Sequence, residues 1–251
     1  MSTWVLLRGL TRESRHWGEF PDLLRAQIGD GRVIALDLPG NGRLNAQPSP
    51  TRVEDAAGVC REALRQRGLS PPYHLLAMSL GAMVALAWAT AHAEDLQGCV
   101  LINTSSRTFS PWFRRLKPRN AGRLLALLSS NDPQAIEAIV LSLTSRHPTH
   151  PPADVLAQWV GWRVENPVSR ANALRQLWAA ARFSPPREAP TVPMLVLAGA
   201  GDTLVDPRCS SQLAAHWGAE LRIHPTAGHD LPLDDGAWVA QQVSRWLEGR
   251  T

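Results

Sequence analysis

Residues 73–89, YHLLAMSLGAMVALAWA, decide how the chain folds. The apolar run at 75–78 stops at Ser79, Gly81 follows two residues later, and an apolar helical pattern begins. A strand that breaks into a helix at a serine has two readings. Ser79 is a nucleophile raised on a tight turn, or it is a small polar residue closing a core strand. The pentapeptide Ala77-Met78-Ser79-Leu80-Gly81 is compatible with both. In the first reading the positions two before and two after the serine must be small, and alanine and glycine meet that demand.

The flanking sequence supplies the frame. Short apolar runs recur at 4–7, 33–36, 75–78, 99–102, 194–197 and 221–223, and the first five are unbroken by polar residues. Continuous runs of this kind suit parallel strands covered on both faces. Helical patterns separate them at 19–28, 53–67, 80–91, 207–217 and 234–247, the last opening on acidic residues that suit a helix N-terminus. The rhythm predicts a doubly wound α/β sheet. Between the fourth and fifth strands nearly ninety residues lack a strand signal and carry four helical patterns, at 119–128, 133–143, 153–164 and 169–181. The expected organisation is a core of residues 1–103 and 191–251 with a helical lid, 104–190, inserted after the fourth strand.

Composition narrows the class. The 251 residues are 44% hydrophobic and 19% charged, ordinary for a globular chain. Cys60, Cys99 and Cys209 lie far apart, which argues against a disulfide framework or a zinc site and for a reducing cytoplasm. The opening MSTWVLLRGL lacks the basic segment of a secretory signal, and no apolar stretch reaches the roughly 20 residues of a membrane span. The net charge of +4 is uneven: residues 104–190 hold 12 basic and 5 acidic residues, net +7, leaving −3 elsewhere. No nucleic-acid-binding motif accompanies it.

Two further segments follow strands. GAGDTLVDP at 199–207 places Asp202 in a glycine-rich loop after the fifth strand, where a carboxylate can orient an imidazole or simply cap a turn. AGHDLP at 227–232 places His229 on a loop after the sixth strand; of the eight histidines it alone has this strand-end, glycine-preceded setting. Ser79, Asp202 and His229 thus fall in that order, each at the carboxyl end of a strand of one sheet. Jointly they favour the nucleophile reading, because serine needs a base and the base needs an orienting acid.

With RGLTRESRHW at 8–17, DLPGNG at 37–42, AMSLGAM at 77–83 and the two segments above, the chain resembles the α/β-hydrolase superfamily over nearly its whole length. The resemblance is nearest to small lidded esterases such as the pimeloyl-carrier methyl esterase and menaquinone-pathway enzymes. It implies an α/β-hydrolase fold, hydrolysis of carboxylic esters or thioesters by Ser79, His229 and Asp202, and no cofactor or metal. It also implies an oxyanion hole from the backbone N–H groups of Leu80 and of Leu10, in the loop opened by Arg8-Gly9. A receptor that binds a small molecule without turnover, and a C–C hydrolase or lyase using the same three residues, are the other activities this frame accommodates.

Departures from the superfamily pattern are visible. Ala77 stands where glycine is usual. Arg8 replaces a histidine, to shape the oxyanion loop or to select anionic substrates. Few residues precede the first strand, so the sheet is expected to hold six parallel strands without an antiparallel hairpin. Serine at position 79 excludes halide or epoxide chemistry that starts from an aspartate nucleophile. Within the lid, Arg107, Arg114, Arg115, Lys117, Arg119 and Arg123 form a basic segment, read as a solvated face or as a dock for an acidic acyl-carrier protein. Phe109, Trp112, Phe113, Trp159 and Trp162 are the expected lining of an acyl pocket. His147 and His150 lack a third ligand and read as loop residues. The sequon at Asn103 carries no meaning at a buried strand end.

Overall fold

The computed structural model describes residues 2–146 and 152–250. Six strands, β1 (Thr3–Leu7), β2 (Arg32–Leu36), β3 (Tyr73–Met78), β4 (Leu96–Ile102), β5 (Met194–Gly199) and β6 (Glu220–His224), form one sheet in the order β2-β1-β3-β4-β5-β6. Every neighbouring pair is parallel. All six apolar runs of the sequence are therefore strands, extended by one to three residues at their ends.

Among the described residues ten α-helices accompany the sheet: α1 (Phe20–Ile28), α2 (Val53–Gln66), α3 (Leu80–Ala91), α4 (Trp112–Arg115), α5 (Ala121–Ser129), α6 (Pro133–Thr144), α7 (Pro152–Glu165), α8 (Arg170–Arg182), α9 (Arg208–Trp217) and α10 (Leu231–Glu248). The pleat sends alternate strand residues to opposite faces. Val5, Leu7, Leu75, Ala77, Leu101 and Val196 join α2, α3 and α9 in one core. Trp4, Leu6, Leu76, Met78, Val100 and Leu197 join α1 and α10 in the other. Two buried faces explain why the strand runs do not alternate. Helix α3 buries ten consecutive residues, Leu80 to Ala89, which its all-round apolar sequence permits. At about 1.5–3 kcal/mol for each large apolar side chain, α3 is a principal anchor of the core.

Helices α4 to α8 occupy the insertion between β4 and β5. The short α4 had no sequence signal. Helix α10 also differs from expectation, starting at Leu231 rather than 234. Asp235 has non-helical angles (φ −156°, ψ 75°) and splits it into two segments. Its Oδ1 accepts from the N–H of Trp238 at 2.9 Å, so Asp235 caps the longer segment.

Because all strands run parallel, their carboxyl ends share one edge, and β1 lies between β2 and β3 where the chain changes direction along the sheet. That edge is where open α/β sheets place ligands. Asp202, His229 and Ser79 all follow strands at this edge.

Candidate active site

Ser79 ends β3 and opens α3 with φ 55° and ψ −117°, a conformation costly for any residue with a side chain. Three non-glycine residues of the described chain have positive φ: Thr11, Ser79 and Asn103. All three follow strands at the carboxyl edge. The turn is held by Ser79 N–H donating to Ile102 O at 2.9 Å and by Thr104 Oγ1 donating to Ser79 O at 3.2 Å. Gly81 is required here, since a Cβ would lie 2.4 Å from the carbonyl oxygen of Leu7 and 2.5 Å from that of Arg8. Ala77 is fully buried within β3 and fits without glycine. A Cβ at Gly9 would come 3.2 Å from Ser79 Cβ, so the loop after β1 lies against the serine.

Asp202 and His229 are both buried, and Asp202 Oδ2 lies 2.7 Å from His229 Nδ1. The other carboxylate oxygen of Asp202 accepts from the N–H groups of Leu204 and Val205 at 2.8 and 2.9 Å. A carboxylate fixed by three donors orients the imidazole and leaves Nε2 free. Ser79 and His229 form no hydrogen bond with each other, but both line one cavity of about 90 Å³ together with Arg8, Gly9, Leu10 and Thr11. Catalytic contacts often tighten only when substrate binds. Leu80 is the first residue of α3, so its N–H has no acceptor within the helix.

Arg8 settles into a buried ion pair. Its Nη1 and Nη2 donate to Asp230 Oδ1 and Oδ2 at 3.0 and 2.5 Å, and its guanidinium stacks over Trp17 at 4.9 Å. Asp230 follows His229 directly, so the pair joins the loop after β1 to the loop carrying the imidazole. The charge of Arg8 is thus matched by Asp230 within the protein.

Asn103 is the residue the sequence reading missed. Its Nδ2 donates to the carbonyls of Gly228 and His229 at 3.0 and 2.8 Å, and its Oδ1 accepts from Gly199 N–H at 2.9 Å. One amide thus ties β4, β5 and the His229 loop. The signal was a polar residue directly after an apolar strand, the same signal that marks Ser79. Gln176 of α8 was missed too: its Oε1 accepts from Thr11 N–H at 2.8 Å, fixing the loop after β1 from the insertion.

A second tie to that loop is ionic. Arg12 donates to both oxygens of buried Glu137 in α6, at 2.6 and 3.1 Å, and Arg163 of α7 also pairs with Glu137. Burial alone would raise the Glu137 carboxyl, but Arg12 and Arg163 outweigh it and hold the pKa below the usual value. Arg12 Nη1 lies 2.9 Å from His16 Nε2, and His16 Nδ1 lies 3.1 Å from the backbone N–H of Glu13 and 3.2 Å from its carbonyl oxygen, so the ring is held between Arg12 and the Glu13 backbone. Burial, reinforced by Arg12 and Arg8, pushes His16 well below its ordinary pKa and keeps it neutral.

The aromatic lining expected from sequence needs correction. Phe109 packs on His216 and Trp217 at 4.6 and 5.2 Å. Trp112 and Phe113 are exposed. Trp159 and Trp162 flank His16 at 5.3 and 5.1 Å, with Arg12 over the Trp159 ring. Their helical face is turned toward the loop after β1. The large cavity, about 690 Å³, is walled instead by Leu124, Leu127 and Leu128 of α5, Ile136 and Val140 of α6 and Leu177 of α8. It shares Leu10, Thr11, Leu124, Leu127 and Val140 with the cavity at Ser79.

The basic segment is also partly committed inward. Arg115 donates to the carbonyls of Ala180 and Ala181, and Lys117 Nζ donates to Asp202 O at 2.5 Å. Arg107, Arg119 and Arg123 are exposed. No group of three metal-ligating side chains occurs among the described residues, and His147 and His150 lie outside them.

Residues 4–242 match the model of the alpha/beta hydrolase family. The candidate carbamate hydrolase RutD of Klebsiella pneumoniae is 30% identical over 244 residues, covering 92% of this chain and 85% of that protein. Among solved structures, a thermophilic esterase from Thermogutta terrifontis aligns over 99% of this chain and 90% of its own, at 22% identity and TM-score 0.77. The enol-lactonase of Burkholderia xenovorans aligns over 98% and 91%, at 21% identity and TM-score 0.77. At that identity the structural likeness speaks for the fold. The chain is a hydrolase of the alpha/beta hydrolase family, as its family match and its RutD-like sequence together require.

Proposed function

We propose that this protein cleaves carboxylic esters or thioesters through an acyl-enzyme on Ser79. The observation that carries the reading is the 2.7 Å contact between Asp202 and His229 beside the cavity that both His229 and Ser79 line. His229 Nε2 takes the proton of Ser79 Oγ as the oxygen adds to the substrate carbonyl. Asp202 holds the ring tautomer and stabilises the imidazolium. The N–H groups of Leu80 and Leu10 stabilise the tetrahedral oxyanion, a contribution of about 2.7–4 kcal/mol per donor. His229 then protonates the leaving alcohol or thiol, and water repeats the sequence to release the acid.

Residues 104–190 serve as a lid over a core of residues 1–103 and 191–251. The leucine-walled cavity under it has the size and character of a small-molecule site and suits an apolar acyl group. Carbamate and enol-lactone, the bonds in two relatives' names, are likewise acyl–heteroatom bonds open to the same attack. An acidic acyl-carrier protein as donor gains no support, because Arg115 and Lys117 are engaged within the protein. The three cysteines are free and buried, which suits a reducing cytoplasm. No helix among the described residues is long and apolar enough to cross a membrane.

The test is steady-state hydrolysis of p-nitrophenyl esters of increasing chain length by wild type and Ser79→Ala. Turnover by wild type alone, with an optimum at medium chain length, supports the reading. Folded proteins that both fail on every ester would turn attention to ligand sensing or C–C cleavage on the same residues.

A further inference from the structure

Exposed apolar surface is concentrated on the insertion. The five large apolar side chains more than half exposed among the described residues are Trp112, Leu125, Val164, Trp178 and Leu174, at 52–72%, and all lie between β4 and β5. One of them, Val164, also lines the 690 Å³ cavity. Leu125 on α5 and Leu174 and Trp178 on α8 belong to two helices that wall the cavity, on faces turned to solvent. On α8, Arg170, Leu174, Trp178 and Arg182 follow at intervals of four, all exposed, with the Arg182 guanidinium 5.2 Å over the Trp178 ring. Arg170 itself lines the cavity. Exposed Arg119 and Arg123 stand at the start of α5. The insertion carries net +7 against −3 for the rest of the chain.

Exposed apolar side chains gathered on one part of a surface mark an interaction site, whereas singly scattered ones are ordinary. Here Leu174 and Trp178 lie one turn apart on α8 between exposed Arg170 and Arg182, and exposed Val164 and Arg170 line the cavity. Aromatic and aliphatic side chains between cations match the headgroup region of an anionic bilayer, where apolar insertion and electrostatic attraction add. We propose that the outer face of the insertion docks on anionic phospholipid surfaces and takes its acyl substrate directly from them into the cavity. The substrate part of this proposal rests on the ester-hydrolase reading above. Attachment is peripheral: Leu125, Leu174 and Trp178 enter the headgroup region, and Arg119, Arg123 and Arg182 contact lipid phosphates.

The test is co-sedimentation of the full chain, carrying Ser79→Ala to prevent turnover, with vesicles of phosphatidylcholine alone or mixed with phosphatidylglycerol. Binding is expected to the anionic vesicles, to weaken steeply as salt rises, and to be weak on phosphatidylcholine. Combined Leu125→Ser, Leu174→Ser and Trp178→Ser should reduce vesicle binding by at least about tenfold, while the same changes with Ser79 intact leave turnover of a short p-nitrophenyl ester near wild type. Equal binding to both vesicle types, no binding, or undiminished binding by the triple variant would overturn the proposal. Retention by an acyl-carrier protein without vesicle binding would overturn it in favour of a protein donor. Loss of vesicle binding with normal ester turnover refutes the docking surface alone. Vesicle binding without turnover of any ester refutes the hydrolase reading alone.

Discussion

The loops at the sheet's carboxyl edge and the helices of the insertion face each other across two adjoining cavities with shared walls, and their side chains play different parts there. The edge loops are polar and strained. Ser79, Asn103 and Thr11 keep positive φ, and Asp202, Asn103 and Asp230 are each satisfied by hydrogen bonds to neighbouring loops. The insertion contributes leucines, valine and isoleucine to the cavity wall, and is tied to the edge by polar contacts away from that wall, among them Gln176 to Thr11, Glu137 to Arg12, Lys117 to Asp202 O, Asn120 to Thr203 O and Thr144 O to Asp230 N–H at 2.7 Å. Directional bonds set atoms to within fractions of an ångström, as bond-making chemistry requires. Dispersion contacts only fill a shape, so the wall can change residue by residue and alter which acyl group fits. The comparison therefore predicts steep losses from changes at the edge and shallow, substrate-dependent changes from the wall.

The largest effect should come from Asp202→Asn. It keeps the shape but removes the carboxylate that fixes the His229 tautomer, and kcat should fall by about 10⁴-fold with the protein folded. Steady-state kinetics beside a circular dichroism melt check this; a loss below tenfold would break the distinction. Next is Arg8→Ala, which strands the buried Asp230 carboxylate. Unfolding in urea should show a cost of about 3–5 kcal/mol, and the double change Arg8→Ala with Asp230→Asn should recover part of it. An effect no larger than that of an exposed arginine would mean the two loops are not clamped by this pair.

Acid should act on buried histidines. Burial lowers His74 to about 4, where it stacks on Trp4. Its folded pKa lies below the unfolded value, so the unfolded chain takes up the proton first and stability falls as pH drops below about 6.5. The expected loss between pH 7 and pH 5 is about 1–2 kcal/mol, and His74→Gln should flatten that slope. His16 acts in the same direction, and because it links Arg12 to Trp159 and Trp162, acid should loosen the insertion from the loop after β1. A slope unchanged in both His74→Gln and His16→Gln would contradict the assignment. The smallest effect is expected in the wall. Leu127→Phe should shift the optimum toward shorter esters while changing turnover of the acetyl ester less than about tenfold. If it abolishes turnover of all esters alike, wall and edge are not separable as argued.

Sequence patterns revealed the edge far better than the wall. Strand ends carrying Ser79, Asp202 and His229 are legible because apolar runs break at defined points, and the glycine at 81 reports a close backbone approach. The same logic applied to Asn103 would have found it, but its sequon drew attention away from its place after β4. Arg8 left two roles open in sequence, since only the fold brings Asp230 to it across 222 positions. The wall was less legible for a physical reason. Phe109, Trp159 and Trp162 are among the large aromatics of the insertion, yet size does not tell which helix face meets the cavity. The leucines of α5 do so, while the tryptophans of α7 turn toward His16 and Arg12.

The central claim is that Ser79 is the nucleophile, and covalent trapping tests it most directly. Treatment with a fluorophosphonate followed by peptide mass spectrometry should place one adduct on Ser79. Labelling should be slowed by His229→Ala and absent in Ser79→Ala, with ester turnover lost in parallel. An adduct on another residue, or ester turnover that survives in Ser79→Ala, would contradict the account.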